Sequence, residues 1–128
     1  MTKNGRKRFP FAVAIVIGAA LLGLLVEYTV HPMHHLYDRL QNNYNHYLPC
    51  QQLPATAEVE RILEEHTDTV KKIAEVHPGF TYIEAGTRCP ETADVIIHYA
   101  TRDERLVIKD ILGGSYTFFG VPARWRSD

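Results

Sequence analysis

The chain contains only two cysteines and two serines, and this scarcity excludes several kinds of catalytic site. Cys50 and Cys89 form no C-x-x-C pair, so a thioredoxin-like redox site has no support. Ser115 and Ser127 lie outside any G-x-S-x-G motif, and the chain has no HExxH motif and no phosphate-binding P-loop. We therefore expect the protein not to be an enzyme.

An excess of positive charge is also missing. The 14 Lys and Arg residues against 15 Asp and Glu give a net charge of −1, which excludes a generally basic nucleic-acid-binding protein. Glycine (8) and proline (7) are too few for a collagen-like or low-complexity chain. The length of 128 residues allows one ordinary domain with some chain left over.

The charges that are present are unevenly distributed. The first eight residues contain four basic side chains and no acid: Lys3, Arg6, Lys7 and Arg8. The first acid is Glu27, and the eighteen residues 9–26 between the two groups carry no charge. At a helical rise of about 1.5 Å per residue they span roughly 27 Å, close to the thickness of a bilayer's hydrocarbon core.

This pattern predicts a cytoplasmic basic tail at 1–8 and a transmembrane signal-anchor at 9–30. Residues 31–53 would be a juxtamembrane helix and linker, and 54–128 an extracytoplasmic domain in the periplasm or a lumen. A cleaved signal peptide, leaving a secreted domain, is the alternative, although no small-residue cleavage site follows Val26. Small-residue pairs in the segment also suggest self-association: Ala14 with Gly18, and Ala19 with Gly23.

Both cysteines fall in the part of the chain predicted to lie outside the cytoplasm. An oxidising compartment favours pairing, and the even number leaves no free thiol. We therefore predict a structural disulfide between Cys50 and Cys89, which would close a loop of about 40 residues and stabilise the domain by about 3 to 4 kcal/mol.

The hydrophobic periodicity after the apolar segment predicts a mixed α+β domain. Helices are expected over 33–48 and 55–77, and strands over 80–84, 93–100 and 115–121. For residues 101–112, the capping-box pattern of Thr101 and Glu104 favours a helix, with a strand as the alternative. The expected fold is a two-layer α-β-β-α-β sandwich with a small antiparallel sheet. If 101–112 were a strand, it would be one helix on a four-stranded meander.

A cluster of metal-ligating residue types follows the apolar segment: His31, Met33, His34 and His35. Imidazole suits copper and zinc, and a thioether adds affinity for Cu(I). No further ligand is fixed by pattern, so interfacial histidines are the simpler interpretation. No other cofactor is expected.

Aromatic and basic residues are mixed near the C-terminus: Phe118, Phe119, Arg124, Trp125 and Arg126. Such residues are enriched at interface hot spots, so this group is a candidate interaction surface. The sequence therefore predicts a membrane-anchored protein with a disulfide-stapled domain that binds an unidentified protein partner, as an accessory or regulatory subunit of a membrane or envelope complex. The alternative function is copper or zinc handling by the histidine cluster.

Overall fold

The computed structural model describes residues 11–30 and 32–128, and the chain divides into two compact units between Leu36 and Tyr37. The first unit contains helix α1, Phe11–Val30, and the start of helix α2, Pro32–Leu40. The predicted basic tail at 1–8 lies outside the described residues. The second unit contains all the β-structure and most of the core.

The predicted transmembrane helix over 9–30 is not supported. Among the described residues, no helix combines the length and the apolarity that crossing a membrane requires. The charge-free part of α1 runs from Phe11 to Val26, which is sixteen residues before Glu27.

The second unit is a mixed α+β fold. After a short 3₁₀ helix, Cys50–Gln52, come α3, Thr56–Glu65, and α4, Thr67–Val76. These are followed by β1, Tyr82–Ala85, β2, Val95–Tyr99, α5, Arg102–Ile111, and β3, Ala123–Ser127. The α+β class is confirmed, and residues 101–112 are helical as predicted, so the four-stranded meander is wrong.

The three strands form one sheet in the order β1-β2-β3. β1 and β2 are antiparallel, with Tyr82 opposite His98, but β2 and β3 are parallel, with His98 opposite Arg126. The prediction of an antiparallel sheet is therefore wrong for this second pair. The helix α5 connects β2 to β3, and such a crossover lets the chain re-enter the sheet in the same direction.

The core lies between the helices and one face of the sheet. Val59 of α3, Ile73 of α4 and Ile108 of α5 are fully buried in the same cluster as the inward side chains of the strands. Those inward side chains are Val95, Ile97, Tyr99, Ala123 and Trp125. They alternate along β2 and β3, as expected for a sheet with one face buried against helices.

The helix predicted over 55–77 is two helices that meet at His66. The backbone leaves helical geometry there, with φ −110° and ψ 34°, and the Thr67 hydroxyl donates to the Glu64 carbonyl at 2.6 Å. Threonine hydroxyls compete in this way with the backbone bonds of a helix. The break allows Val59 and Ile73 to reach the same core from two helices.

Two further elements differ from their predicted bounds. The helix expected over 33–48 ends at Leu40, because Asn42 adopts a left-handed conformation, φ 58°, typical of a helix C-terminus. The strand expected over 115–121 is instead turn structure. The third strand is Ala123–Ser127, after Pro122, which has no backbone N–H to donate.

The segment that follows α2, residues 42–54, runs along the second unit, and we call it the strap. Tyr44 and Trp125 exchange two backbone hydrogen bonds, of 3.0 and 2.8 Å, at the edge of β3 that does not face β2. The Tyr99 hydroxyl donates to the Asn42 carbonyl. Burial raises the pKa of this hydroxyl to about 12. The disulfide Cys50–Cys89 is present as predicted and ties the strap to the β1–β2 loop.

Candidate functional site

The sheet face opposite the core carries a patch of polar and aromatic side chains. Because side chains alternate along a strand, Tyr82 and Glu84 of β1, His98 of β2 and Arg126 of β3 all point away from the core. Asp128 follows β3 and reaches the same place. We call these five residues the outer-face patch.

His98 lies at the centre of the outer-face patch. Its Nε2 is hydrogen-bonded to Glu84 Oε1 at 2.9 Å, and its Nδ1 is hydrogen-bonded to the Asp128 carboxylate. The ring of Tyr82 stacks on the imidazole, with centroids 4.1 Å apart and planes 12° from parallel. Three contacts therefore fix the imidazole ring in one orientation.

The charges in the patch act on Tyr82. Desolvation, together with the negative charges of Glu84 and Asp128, raises the pKa of its hydroxyl above the usual range. The side chain remains 42% exposed, and Arg126, opposite His98 in the parallel pair, is exposed as well. The patch thus presents an aromatic ring, a guanidinium and two carboxylates on strands, an arrangement suited to recognition.

A second polar cluster is buried where β2 and β3 begin, and it consists of Asp94, Arg124 and His46. Arg124 donates from Nε to Asp94 Oδ2 at 2.6 Å and from Nη2 to Asp94 Oδ1 at 3.0 Å. His46 of the strap is hydrogen-bonded through Nε2 to Asp94 Oδ2 at 2.8 Å. Burial raises the pKa of Asp94, but the hydrogen bonds from Arg124 and His46 outweigh it, so this pKa lies below its ordinary value.

Asp94 and His46 are the residue types of a catalytic dyad, but neither ring nitrogen of His46 is available to a substrate. The backbone N–H of Leu48 donates to His46 Nδ1 at 2.9 Å, so Nδ1 is an acceptor and Nε2 faces Asp94. Both ring nitrogens are therefore used inside the protein. Asp94 itself is only 1% exposed. This geometry holds the strap against the sheet and offers no nitrogen to a substrate.

The five residues predicted as an interaction surface do not lie together on the surface. Phe118 and Trp125 are fully buried, and the indole N–H of Trp125 donates to the Tyr116 carbonyl at 2.9 Å. Arg124 is buried against Asp94. Only Phe119 and Arg126 remain exposed. Alternation along β3 separates Trp125 from Arg126, whereas Arg124 lies on the same face as Arg126 and is buried by its contact with Asp94.

The predicted metal ligands are only partly visible. Met33, His34 and His35 lie on α2, where all three are exposed, whereas His31 lies outside the described residues. Within 11–30 and 32–128, no group of three or more histidine, cysteine, aspartate or glutamate side chains is arranged to hold a metal ion. Copper or zinc handling stays a prediction.

Sequence reasoning missed Tyr82, Glu84 and Asp128 of the outer-face patch. A signal was available in the predicted strand FTYIE, where Tyr82 and Glu84 share one face by alternation. The role of Asp128 depends on the pairing of β2 with β3, which the local sequence does not specify. The buried partnership of Asp94 with Arg124, 30 residues apart, depends on the same pairing.

No family model, curated protein or solved structure matches the chain. The geometry of the described residues is therefore what bears on function, and the outer-face patch and the apolar surface of α1 are two of its accessible features.

Proposed function

We propose that the protein is a membrane-attached binding protein, whose unit from Tyr37 to Asp128 contacts a protein partner on the extracytoplasmic side. It would act as an accessory or regulatory subunit of a membrane or envelope complex. The observation that carries this proposal is the surface of α1, where every residue from Phe11 to Val26 is exposed and none is charged.

Sixteen consecutive apolar residues cover all sides of a helix, because successive side chains are about 100° apart. Such a helix has no polar side to turn toward water, and lipid covers it equally in every direction. In the sequence the charge-free run is eighteen residues long, from 9 to 26, which is within the range for a membrane span. The basic residues before this run and Glu27 after it favour a cytoplasmic N-terminus. The disulfide supports an oxidising location for the second unit.

The outer-face patch is the part of the second unit that we propose for the partner. Tyrosine and arginine are enriched at the centres of protein interfaces. Tyr82 and His98 are already held by stacking and hydrogen bonds, so binding costs little side-chain entropy. Glu84, Asp128 and Arg126 supply both signs of charge to select a complementary surface.

Fractionation and topology mapping test the location. We expect the full chain to remain with membranes after carbonate washing, and an alkaline phosphatase fused to its C-terminus to be active. Recovery of the chain in the soluble fraction, or activity only of a cytosolic reporter at that position, would contradict the proposal.

Co-purification from a mild detergent extract tests the partner. We expect Tyr82→Ala and Arg126→Ala each to lower recovery of the co-purifying protein by about tenfold, as for hot-spot residues. Arg102→Ala, at an exposed arginine that begins α5, is the matched control and should leave recovery unchanged. Equal losses in all three variants, or a chain that purifies alone, would exclude this role for the patch.

A further inference from the structure

A pocket of about 420 Å³ lies beside the C-terminal end of α5. None of the residues that line it belongs to the outer-face patch. Its apolar lining comes from Ile111, Leu112 and Phe119, and its polar lining includes Ser115 and Thr117. Gly113 and Gly120 complete the rim. The volume falls in the range of natural small-molecule sites. We call it the Phe119 pocket.

Phe119 is placed at the pocket by an unusual turn. Phe118 and Val121 exchange backbone hydrogen bonds of 3.0 and 2.9 Å, and the two residues between them are both left-handed, Phe119 at φ 48° and Gly120 at φ 86°. This is a two-residue type I′ turn, whose first central position favours asparagine or glycine. A phenylalanine there is strained, and its ring is still 49% exposed, so burial does not compensate the strain.

The ring of Phe119 is nevertheless held in a fixed position. It stacks on His66, at the junction of α3 and α4, with centroids 3.4 Å apart and planes 5° from parallel. It also packs nearly perpendicular to the buried Phe118 ring, with the two ring centroids 4.9 Å apart. His66 covers one face of the Phe119 ring, and Phe119 also lines the pocket.

The polar side of the pocket has hydrogen-bonding capacity left. Ser115 Oγ and Thr117 Oγ1 are 2.8 Å apart, and the Thr117 backbone N–H donates to Ser115 Oγ at 3.0 Å. One hydroxyl proton is used between the two oxygens, whichever residue donates it. The other hydroxyl proton is not used in that bond and is available to an acceptor in the pocket.

We propose that the Phe119 pocket binds a small, uncharged aromatic molecule that carries a hydrogen-bond acceptor. The ring of the ligand packs against Phe119, as a further aromatic layer beside the His66 stack, and its acceptor accepts a hydrogen bond from the hydroxyl of Ser115 or Thr117. Ile111 and Leu112 provide the apolar wall. No charged side chain lines the pocket among the described residues, which favours a neutral ligand.

The test uses the full chain in a mild detergent and benzamide as the probe, with binding followed by saturation-transfer NMR. Cyclohexanecarboxamide has the same amide on a saturated ring and serves as the matched control ligand. From the size of benzamide we expect a dissociation constant of about 1 mM, and binding of the saturated analogue about tenfold weaker.

Phe119→Asn separates a binding role from a structural one. Asparagine tolerates the left-handed conformation, so this variant should raise Tm by about 4 °C while weakening benzamide binding about tenfold. Thr117→Val, which removes one hydroxyl at constant shape, should weaken binding severalfold. Phe80→Asn, at an exposed phenylalanine in the turn between α4 and β1, should leave binding unchanged.

Three results would overturn the proposal. The first is that benzamide and its saturated analogue bind equally well. The second is that Phe119→Asn binds benzamide as the wild type does. The third is that Phe119→Asn loses binding and also has a lower Tm than the wild type. The last result would assign Phe119 a packing role in place of a ligand-binding one. None of these measurements involves the membrane or the protein partner, so they are independent of the proposed function.

Discussion

Gly86 is the residue on which the buried Asp94–Arg124 pair depends most directly. Its Cα packs so closely on the pair that a Cβ would clash with Asp94 Oδ1 and lie 2.8 Å from Arg124 Nη2. We predict that Gly86→Ala lowers the free energy of unfolding by about 3 kcal/mol, since it disturbs a buried ion pair. Urea unfolding of the full chain in mild detergent measures this through the fluorescence of Trp125, the single tryptophan.

Gly113→Ala is the control for Gly86→Ala. Gly113 has a left-handed backbone, φ 71°, but open space where a Cβ would lie, so only the conformational cost of about 1 kcal/mol is expected. If Gly86→Ala lowers the free energy of unfolding by no more than Gly113→Ala does, then the packing of Gly86 on the ion pair does not contribute to stability.

Asp94 makes the stability of the fold depend on acidity. Its pKa in the folded protein is lowered, so its stabilising contribution is complete above its ordinary pKa of about 4. The contribution is lost as the pH falls through the lowered folded-state pKa, because the unfolded chain then binds the additional proton. Asp94→Asn should cost about 3 kcal/mol at pH 7, since it leaves Arg124 buried without its counter-charge, and should lose less stability than the wild type as the pH falls below about 4.

Glu58→Gln is the comparison for this acid dependence. The pKa of Glu58 is also lowered, by its hydrogen bond to Arg61, but both side chains of this pair are exposed on the surface. Screening by water makes such pairs nearly neutral for stability. Unfolding curves recorded from pH 7 to pH 2 should therefore change much less for Glu58→Gln than for Asp94→Asn, and identical curves would refute the role of Asp94.

At the scale of the element, the start of α5 is fixed by a capping box. The Glu104 backbone N–H donates to Thr101 Oγ1 at 3.2 Å, and the Thr101 backbone N–H donates to Glu104 Oε2 at 3.0 Å. We predict that Thr101→Ala lowers the free energy of unfolding by about 1 kcal/mol, whereas Thr101→Ser, which keeps the hydroxyl, changes it little. Equal stability of the two variants in urea would show that the hydroxyl does not cap the helix.

Elements were predictable where local sequence determines them. The capping box of α5 requires only Thr101 and Glu104, three residues apart, and the sequence identified it. The third strand was misplaced because SYTFFGV has high strand propensity, whereas the fold uses part of it for the left-handed turn at Phe119 and Gly120. The alternation in ARWRS was the better signal, but it is short and follows a proline.

The candidate sites were less predictable than the elements. The outer-face patch brings together residues from β1, β2 and the end of β3, and therefore depends on a sheet pairing that no local pattern specifies. The sequence shows that aromatic and basic residues are mixed near the C-terminus. Which of them face the core depends on the register of β3 in the sheet. Trp125 and Arg126 are neighbours in sequence and lie on opposite faces.

At the scale of the whole molecule, stability depends on keeping the strap on the sheet. The contacts that hold it there include the Tyr44–Trp125 bridge, the His46–Asp94 hydrogen bond and the Cys50–Cys89 disulfide. A further bond joins Thr92 Oγ1 to the Cys50 carbonyl at 2.8 Å. The covalent link differs from the others because it also restricts the unfolded chain.

We predict that the double variant Cys50→Ala/Cys89→Ala lowers the free energy of unfolding by about 3 to 4 kcal/mol, the chain-entropy cost of opening this loop. Small domains have total stabilities of about 5 to 15 kcal/mol, so this loss is a large fraction of the whole. Urea unfolding should place the double variant and the wild type reduced by dithiothreitol at the same midpoint. A loss below about 1 kcal/mol would mean that the noncovalent contacts of Tyr44 and His46 suffice to hold the strap, and that the disulfide constrains little of the unfolded chain.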